Sequence, residues 1–217
     1  MLEKRILCSV PTYHAVEPLP FAHFLSVSQE SGRAEAVGKY EMRWLVGGPK
    51  VKTQIVRNMS CKVALDTDAT HLAFIDDDML PDPKDILERL LAHDVDIVAP
   101  LFFRSSGNFD PLVFNLDELG EPMPILDYPR NKLFEVTGGV GTGVILINTR
   151  VLRGMCDPWF YYPPNSTRSM DVHFCIRAIG NGFRVWCDSS IIVRQMGLPK
   201  PVGEDDFLRS GKVLTAR

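Results

Sequence analysis

No stretch of this chain approaches the roughly 20 consecutive apolar residues of a membrane span, and the opening MLEKRILCSVPTYH has too short an apolar run for a secretory leader. A cytoplasmic location is therefore expected. Paired cysteines are also lacking. Cys8, Cys61, Cys156, Cys175 and Cys187 are dispersed, odd in number and contain no C-x-x-C, so they read as reduced thiols, mostly core filler, rather than a disulfide framework. Without a secretory route, the N-x-S/T triplets at Asn58 and Asn165 read as chance. Net charge is nearly absent: 24 Lys+Arg against 27 Asp+Glu leave −3. That balance argues against a protein held to nucleic acid by bulk charge, while leaving a local basic face open. Internal repeats and low-complexity tracts are missing as well. With 45% hydrophobic and 24% charged residues in 217, the chain has the composition of one globular domain, or of one domain with an insertion.

The apolar pattern alternates between short β-type runs and helix-period stretches, which argues for an α/β fold. Strands are expected at 5–10 (RILCSV), 41–46, 71–76 (HLAFID), 95–99 and 144–148 (VILIN), with one or two more over 183–193. Helices are expected at 18–31, at 53–65 with Ile55, Val56, Met59 and Val63 as its apolar stripe, and at 170–179. The segment LPDPKDILERLLAHD predicts a helix with Asp82 as N-cap, Pro83 at the first helical position, and Ile86, Leu87, Leu90 and Leu91 buried. Residues 101–135 read as a loop-rich insertion with a hairpin, and 198–217 as a tail that is mobile or closes over a ligand.

Charge is uneven along this frame. Residues 39–62 carry six basic groups against Glu41 alone, and residues 66–96 carry ten acidic groups against Lys84 and Arg89. The sharpest feature is Asp76-Asp77-Asp78 at the end of an apolar strand. An extended backbone would point Asp76 and Asp78 the same way, with Cα atoms about 7 Å apart. Two same-side carboxylates at the carboxyl end of a buried strand call for Mg2+ or Mn2+, hard ions that take oxygen ligands and can bridge a protein to a diphosphate. The alternative is an exposed acidic turn capping the next helix. Gly139, Gly141 and Gly143 are spaced as in a dinucleotide fingerprint, but VILIN follows them where that motif needs a helix.

These ordered pieces resemble the inverting GT-A type nucleotide-sugar glycosyltransferases, particularly the family 2-like group, over roughly residues 5–197. RILCSVPTY resembles that family's first strand and nucleoside turn, which implies Pro11, Thr12 and Tyr13 at the base and ribose. Val56-Arg57-Asn58 resembles its helix-borne ARN, implying Arg57 near the nucleotide. FIDDDMLPDP resembles its DxD segment, implying Asp76 and Asp78 around metal and ribose, Asp77 beside the donor, and Asp78 as the direct ligand. Val140 to Ile147 resembles the Gly-rich segment beside the acceptor, which places Gly141, Thr142 and Gly143 there. MDVHFCIR resembles ED-v-D-F-C-x-R and implies Asp171 as the catalytic base, with Met170 in place of the Glu and His173 in place of an acidic residue. Arg194-Gln195-Met196-Gly197 resembles the terminal v-x-H-x-G, with Gln195 where a metal-binding His often stands and Arg194 within reach of the diphosphate. The resemblance places Arg104 near the donor sugar. Trp159 opens the aromatic run Trp159-Phe160-Tyr161-Tyr162, which reads either as an acceptor platform or as packing of a loop.

The resemblance implies a single-domain GT-A fold over 1–197, with a mixed, mostly parallel sheet. The implied activity is metal-dependent, inverting transfer of a sugar from a nucleotide diphosphate donor, a UDP-sugar first, to a hydroxyl. The acceptor would be a small molecule or, given the basic 39–62 stretch, a hydroxylated DNA base. Nucleotidyl transfer on a similar fold and a non-catalytic nucleotide- or glycan-binding module are the alternatives. The former needs a Gly-rich basic loop after the first strand, where this chain has VPTYHAVEP.

Overall fold

The computed structural model describes residues 3–12, 16–47, 50–164, 166–197 and 201–210. Its centre is a seven-stranded sheet. β1 (Arg5–Val10), β2 (Glu41–Val46) and β3 (His71–Ile75) lie parallel, and β5 (Ile97–Leu101) and β11 (Val185–Ile192) continue in the same direction. β10 (Val144–Asn148) runs antiparallel between β3 and β5, and β8 (Leu133–Val136) closes one edge antiparallel to β11. The order is β2-β1-β3-β10-β5-β11-β8. β3 and β5 are buried at every residue, as their unbroken apolar runs require when both faces of a sheet are covered.

Helices cover the two faces. On one, α1 (Pro18–Ala36) and α3 (Ile86–Ala92) pack Phe24, Val27, Leu87 and Leu90 against Ile6, Cys8, Ile75 and Val98. On the other, α2 (Thr53–Asp66), α4 (Thr149–Arg153) and α5 (Met170–Gly180) pack Cys61, Val151 and Phe174 against Leu72, Phe74, Ile145 and Ile147. Within the expected insertion, β6 (Val113–Leu116) and β7 (Pro122–Pro124) form the hairpin, and β9 (Gly139–Val140) pairs with β6. A small sheet of β4 (Met79–Leu80), β12 (Arg194–Met196) and β13 (Pro201–Val202) lies beyond the end of β3.

Several local expectations change. The strand ends at Ile75, and Asp76–Asp78 forms a turn closed by the Met79 N–H on the Asp76 carbonyl (3.0 Å), so strand alternation does not set the carboxylate directions. Asp82 is not an N-cap. The Asp82–Pro83 peptide is cis, and α3 starts three residues later with Asp85 in the cap position, its carboxylate accepting from Arg89 Nε rather than from the helix backbone. The α2 stripe is rotated by one position. Ile55 and Met59 are 48% and 58% exposed, while Val56, Arg57, Ser60, Cys61 and Ala64 face the sheet, because small side chains allow the close approach that lets Ser60 bond Ser9 (2.8 Å). In the tail, β13 and α6 (Glu204–Arg209) are packed on the body. Phe207 is fully buried, stacked on Phe103, and Glu204 accepts from Tyr128 and Arg130.

Candidate active site

The end of β3, the segment leading into β10, the inner face of α2 and the first turn of α5 meet around the Asp76 carboxylate. Beside it lies Arg57, 1% exposed on the inner face of α2. Burying a guanidinium is tolerable only with a partner, and its partner is Asp76: Nη2 donates to both carboxylate oxygens, at 2.9 and 2.8 Å. Nη1 donates to the Thr142 carbonyl (3.3 Å), and the guanidinium lies 4.7 Å from the Phe74 ring centroid. The Asp76 N–H in turn bonds the Gly143 carbonyl at 2.7 Å. Burial pushes the Asp76 carboxyl up to about 7, against the pull of Arg57 and with Asp171, Asp78 and Asp77 adding to the rise. Four acidic side chains thus share one field.

Asp78 lies on the far side of the turn and accepts from Gln195 Nε2 (2.7 Å), while its backbone carbonyl accepts the Met196 N–H. Burial raises its carboxyl too, and the Gln195 bond opposes the rise. The expected trio Asp76, Asp78 and Gln195 is therefore brought together, although Asp76 is engaged by Arg57. Among the described residues no group of three or more His, Cys, Asp or Glu is placed to hold a metal ion. Gln195 turns its amide nitrogen, not its carbonyl, to Asp78; the Asp78 carboxylate fits a hard cation, since Mg2+ is commonly held by one or two carboxylates plus substrate phosphates.

Asp171 lies in the first turn of α5, whose N-cap Ser169 accepts from the Val172 N–H. Its Oδ1 is buried without a hydrogen-bond partner among the described residues, as are Thr142 Oγ1, Arg57 Nε and both ring nitrogens of His173. Each such group costs on the order of 1–3 kcal/mol if left unsatisfied, so the unpartnered atoms of Arg57, Thr142 and Asp171 around Asp76 make this a candidate ligand site. His173 packs edge-on against Tyr161 at 4.6 Å, and burial, with Arg177 and Arg168 nearby, lowers its pKa.

The remaining expected residues divide. Pro11 and Thr12 sit at the mouth of β1, with Thr12 Oγ1 donating to the Gly47 carbonyl (2.8 Å); Tyr13 lies outside the described residues. Arg104 and Arg194 are exposed. Gly141 and Gly143 leave room for protein rather than for a sugar: a Cβ would come within 2.8 Å of the Phe102 ring at Gly141 and 3.0 Å of Met79 Sδ at Gly143. Trp159 is in the core, its indole N–H on the Leu152 carbonyl (2.9 Å), and Phe160 is buried too, so that half of the aromatic run is packing. Tyr162 is 61% exposed.

Sequence reasoning passed over Asn58 as a site residue. Its Nδ2 donates to the Phe160 carbonyl (2.7 Å) and its Oδ1 accepts the Phe160 N–H (3.0 Å), while Arg177 holds the carbonyls of Cys156, Pro158 and Trp159. The helix bearing Arg57 is thereby fastened to the aromatic loop. The signal lay only in Asn58 adjoining Arg57, which does not reveal a partner 102 residues away.

No protein-family model matches the chain, and no curated protein does. Solved structures do. A197 from STIV superposes with a TM-score of 0.60 at 20% identity, covering 88% of this chain and 85% of that one. A putative glucose-1-phosphate thymidylyltransferase from Bacillus anthracis superposes with a TM-score of 0.52 at 9% identity over 99% and 97%. The fold is GT-A-like. A glycosyltransferase involved in glycosylating the major capsid of PBCV-1 matches with a TM-score of 0.39 at 11% identity over 77% and 71%. The mixed sheet flanked by helices is an architecture shared with the thymidylyltransferase structure.

Proposed function

We propose that this protein transfers a sugar, with inversion, from a nucleotide diphosphate donor to an acceptor hydroxyl, with Asp171 as general base. The observation that carries the reading is the Asp171 carboxylate oxygen, buried without a partner and close enough to Asp76 to raise its pKa. An inverting transfer needs a carboxylate on the acceptor side with a free lone pair. It accepts the hydroxyl proton as the oxygen attacks the anomeric carbon opposite the leaving diphosphate. Thr142 Oγ1, also buried without a partner among the described residues, offers a further hydrogen-bonding group. Asp78 would hold Mg2+ or Mn2+, whose chemistry there is to neutralise charge on the leaving diphosphate. Pro11 and Thr12 flank the nucleoside, for which a UDP-sugar is the first donor to try.

Nucleotidyl transfer is the second reading, favoured by the thymidylyltransferase neighbour. Against it stands the segment after β1, VPTYHAVEP, which has neither the glycines nor the basic residues that would bind a triphosphate. The charge that suggested a DNA acceptor is largely neutralised: Lys39 pairs with Glu88, Arg43 with Glu41, Lys62 with Asp157, and Arg57 is buried. A small acceptor is the better-supported choice.

The test is a thermal-shift screen of nucleoside diphosphates and nucleotide sugars with and without Mn2+, followed by assay of donor turnover in Asp171→Asn. A ligand at 100 times its dissociation constant should add about 2.7 kcal/mol of stability, and Asp171→Asn should lower turnover about 10²–10⁴-fold. Turnover unchanged in Asp171→Asn, or transfer of a nucleotidyl rather than a glycosyl group, refutes the proposal.

A further inference from the structure

The Arg57–Asp76 pair bears on how the proposed site holds its cation, and the inference rests on that proposal. Asp76 occupies the first position of an acidic pair expected to bracket a metal, yet both its oxygens accept from one guanidinium nitrogen. Arg57 cannot be moved aside cheaply. It is 1% exposed, lies over Phe74 and near Phe160 (4.7 and 5.8 Å to the ring centroids), and is tied through Nη1 to the Thr142 carbonyl. A divalent ion approaching Asp76 would face a fixed positive charge at hydrogen-bonding distance. Asp78 has no such charged occupant among the described residues: its bonded side chain is Gln195, a neutral, half-buried amide of the small sheet.

We infer that Arg57 is a positioning residue that acts as the resident counter-cation of Asp76. It withdraws that carboxylate from metal ligation and leaves the cation to Asp78. The protein then supplies few ligands of its own, and the donor diphosphate supplies much of the rest. Arg57 also ties the Asp76 turn to the Thr142 carbonyl, so one side chain joins the two segments.

The probe is Mn2+ alone, titrated against the full chain and followed by loss of the free-ion paramagnetic resonance signal. Asp76→Asn should bind within about threefold of the parent, and Asp78→Asn at least about tenfold more weakly, the scale on which altered metal-site residues act. Arg57→Met frees a second carboxylate and should bind Mn2+ about tenfold or more tightly than the parent. A merely structural arginine would produce no such gain. If Arg57→Met does not fold, Arg57→Gln is read instead, since its neutral amide keeps a hydrogen-bond donor but removes the positive charge. The inference is overturned if Asp76→Asn weakens binding as much as Asp78→Asn, or if the Arg57 variant gains nothing. A parent chain that binds no Mn2+ sinks the cation of the proposed function instead, and the Arg57 variant still decides the inference: newly acquired binding upholds it, and continued absence overturns it.

Discussion

Arg57 shows how much a single buried charge can organise. Its guanidinium is shielded by Phe74, and its stability rests on Asp76, whose side chain is 25% exposed. Removing one partner of such a pair leaves the other uncompensated, at a cost of about 3–5 kcal/mol, whereas replacing both with neutral groups is far milder. In urea denaturation, Arg57→Met should therefore lose about 3–5 kcal/mol, and Arg57→Met/Asp76→Asn should recover most of it; equal losses in single and double variants would contradict the pairing. Asp76 and Asp78 stood out in the sequence as acidic residues at a strand end, and Asp171 only through the resemblance of MDVHFCIR. The burial of Arg57 did not, since a basic residue on an amphipathic helix reads as solvent-facing until its partner is known.

Among the elements, β3 carries two consequences. His71 at its start is 5% exposed and bonded to Thr70 Oγ1, and burial, aided by Lys4, lowers its pKa to about 4. Unfolded, the same imidazole titrates near 6.5, so the folded state favours the neutral ring. Its contribution is complete above about pH 6.5 and is lost as pH falls from there through 4, up to about 3 kcal/mol. His71→Gln should flatten that part of the stability–pH curve, measured by urea denaturation at pH 7 and pH 4.5. The second consequence is the abrupt stop at Ile75, where HLAFI was plain in the sequence but the turn of Asp76–Asp78 depends on the Gly143 carbonyl across the sheet. On α2, Asn58→Ala would strip the Phe160 N–H and carbonyl of their partner, which should cost about 1–3 kcal/mol. Limited proteolysis should then cut the 156–164 loop sooner than in the parent; an unchanged cleavage rate would show that Arg177 holds the loop alone.

The whole molecule is closed by its C-terminal segment. Phe207 stacks on Phe103 at 5.5 Å and sits 6.2 Å from Tyr128, joining α6 to the end of β5 and to the loop before β8. Phe207→Ala should cost about 3–5 kcal/mol in calorimetric unfolding, a loss no mobile appendage would show. The order of strands and helices, the apolar centre and the acidic strand end follow from local pattern alone, because alternation, helical period and strand-end charge are written in neighbouring residues. Which face of α2 turns inward, where α3 starts, which aromatics of 159–162 are core, and which carboxylate Arg57 neutralises follow from contacts between segments far apart in the chain. Those contacts settle where each charge ends up, since the cost of burying a charged or polar group depends on what the fold places beside it.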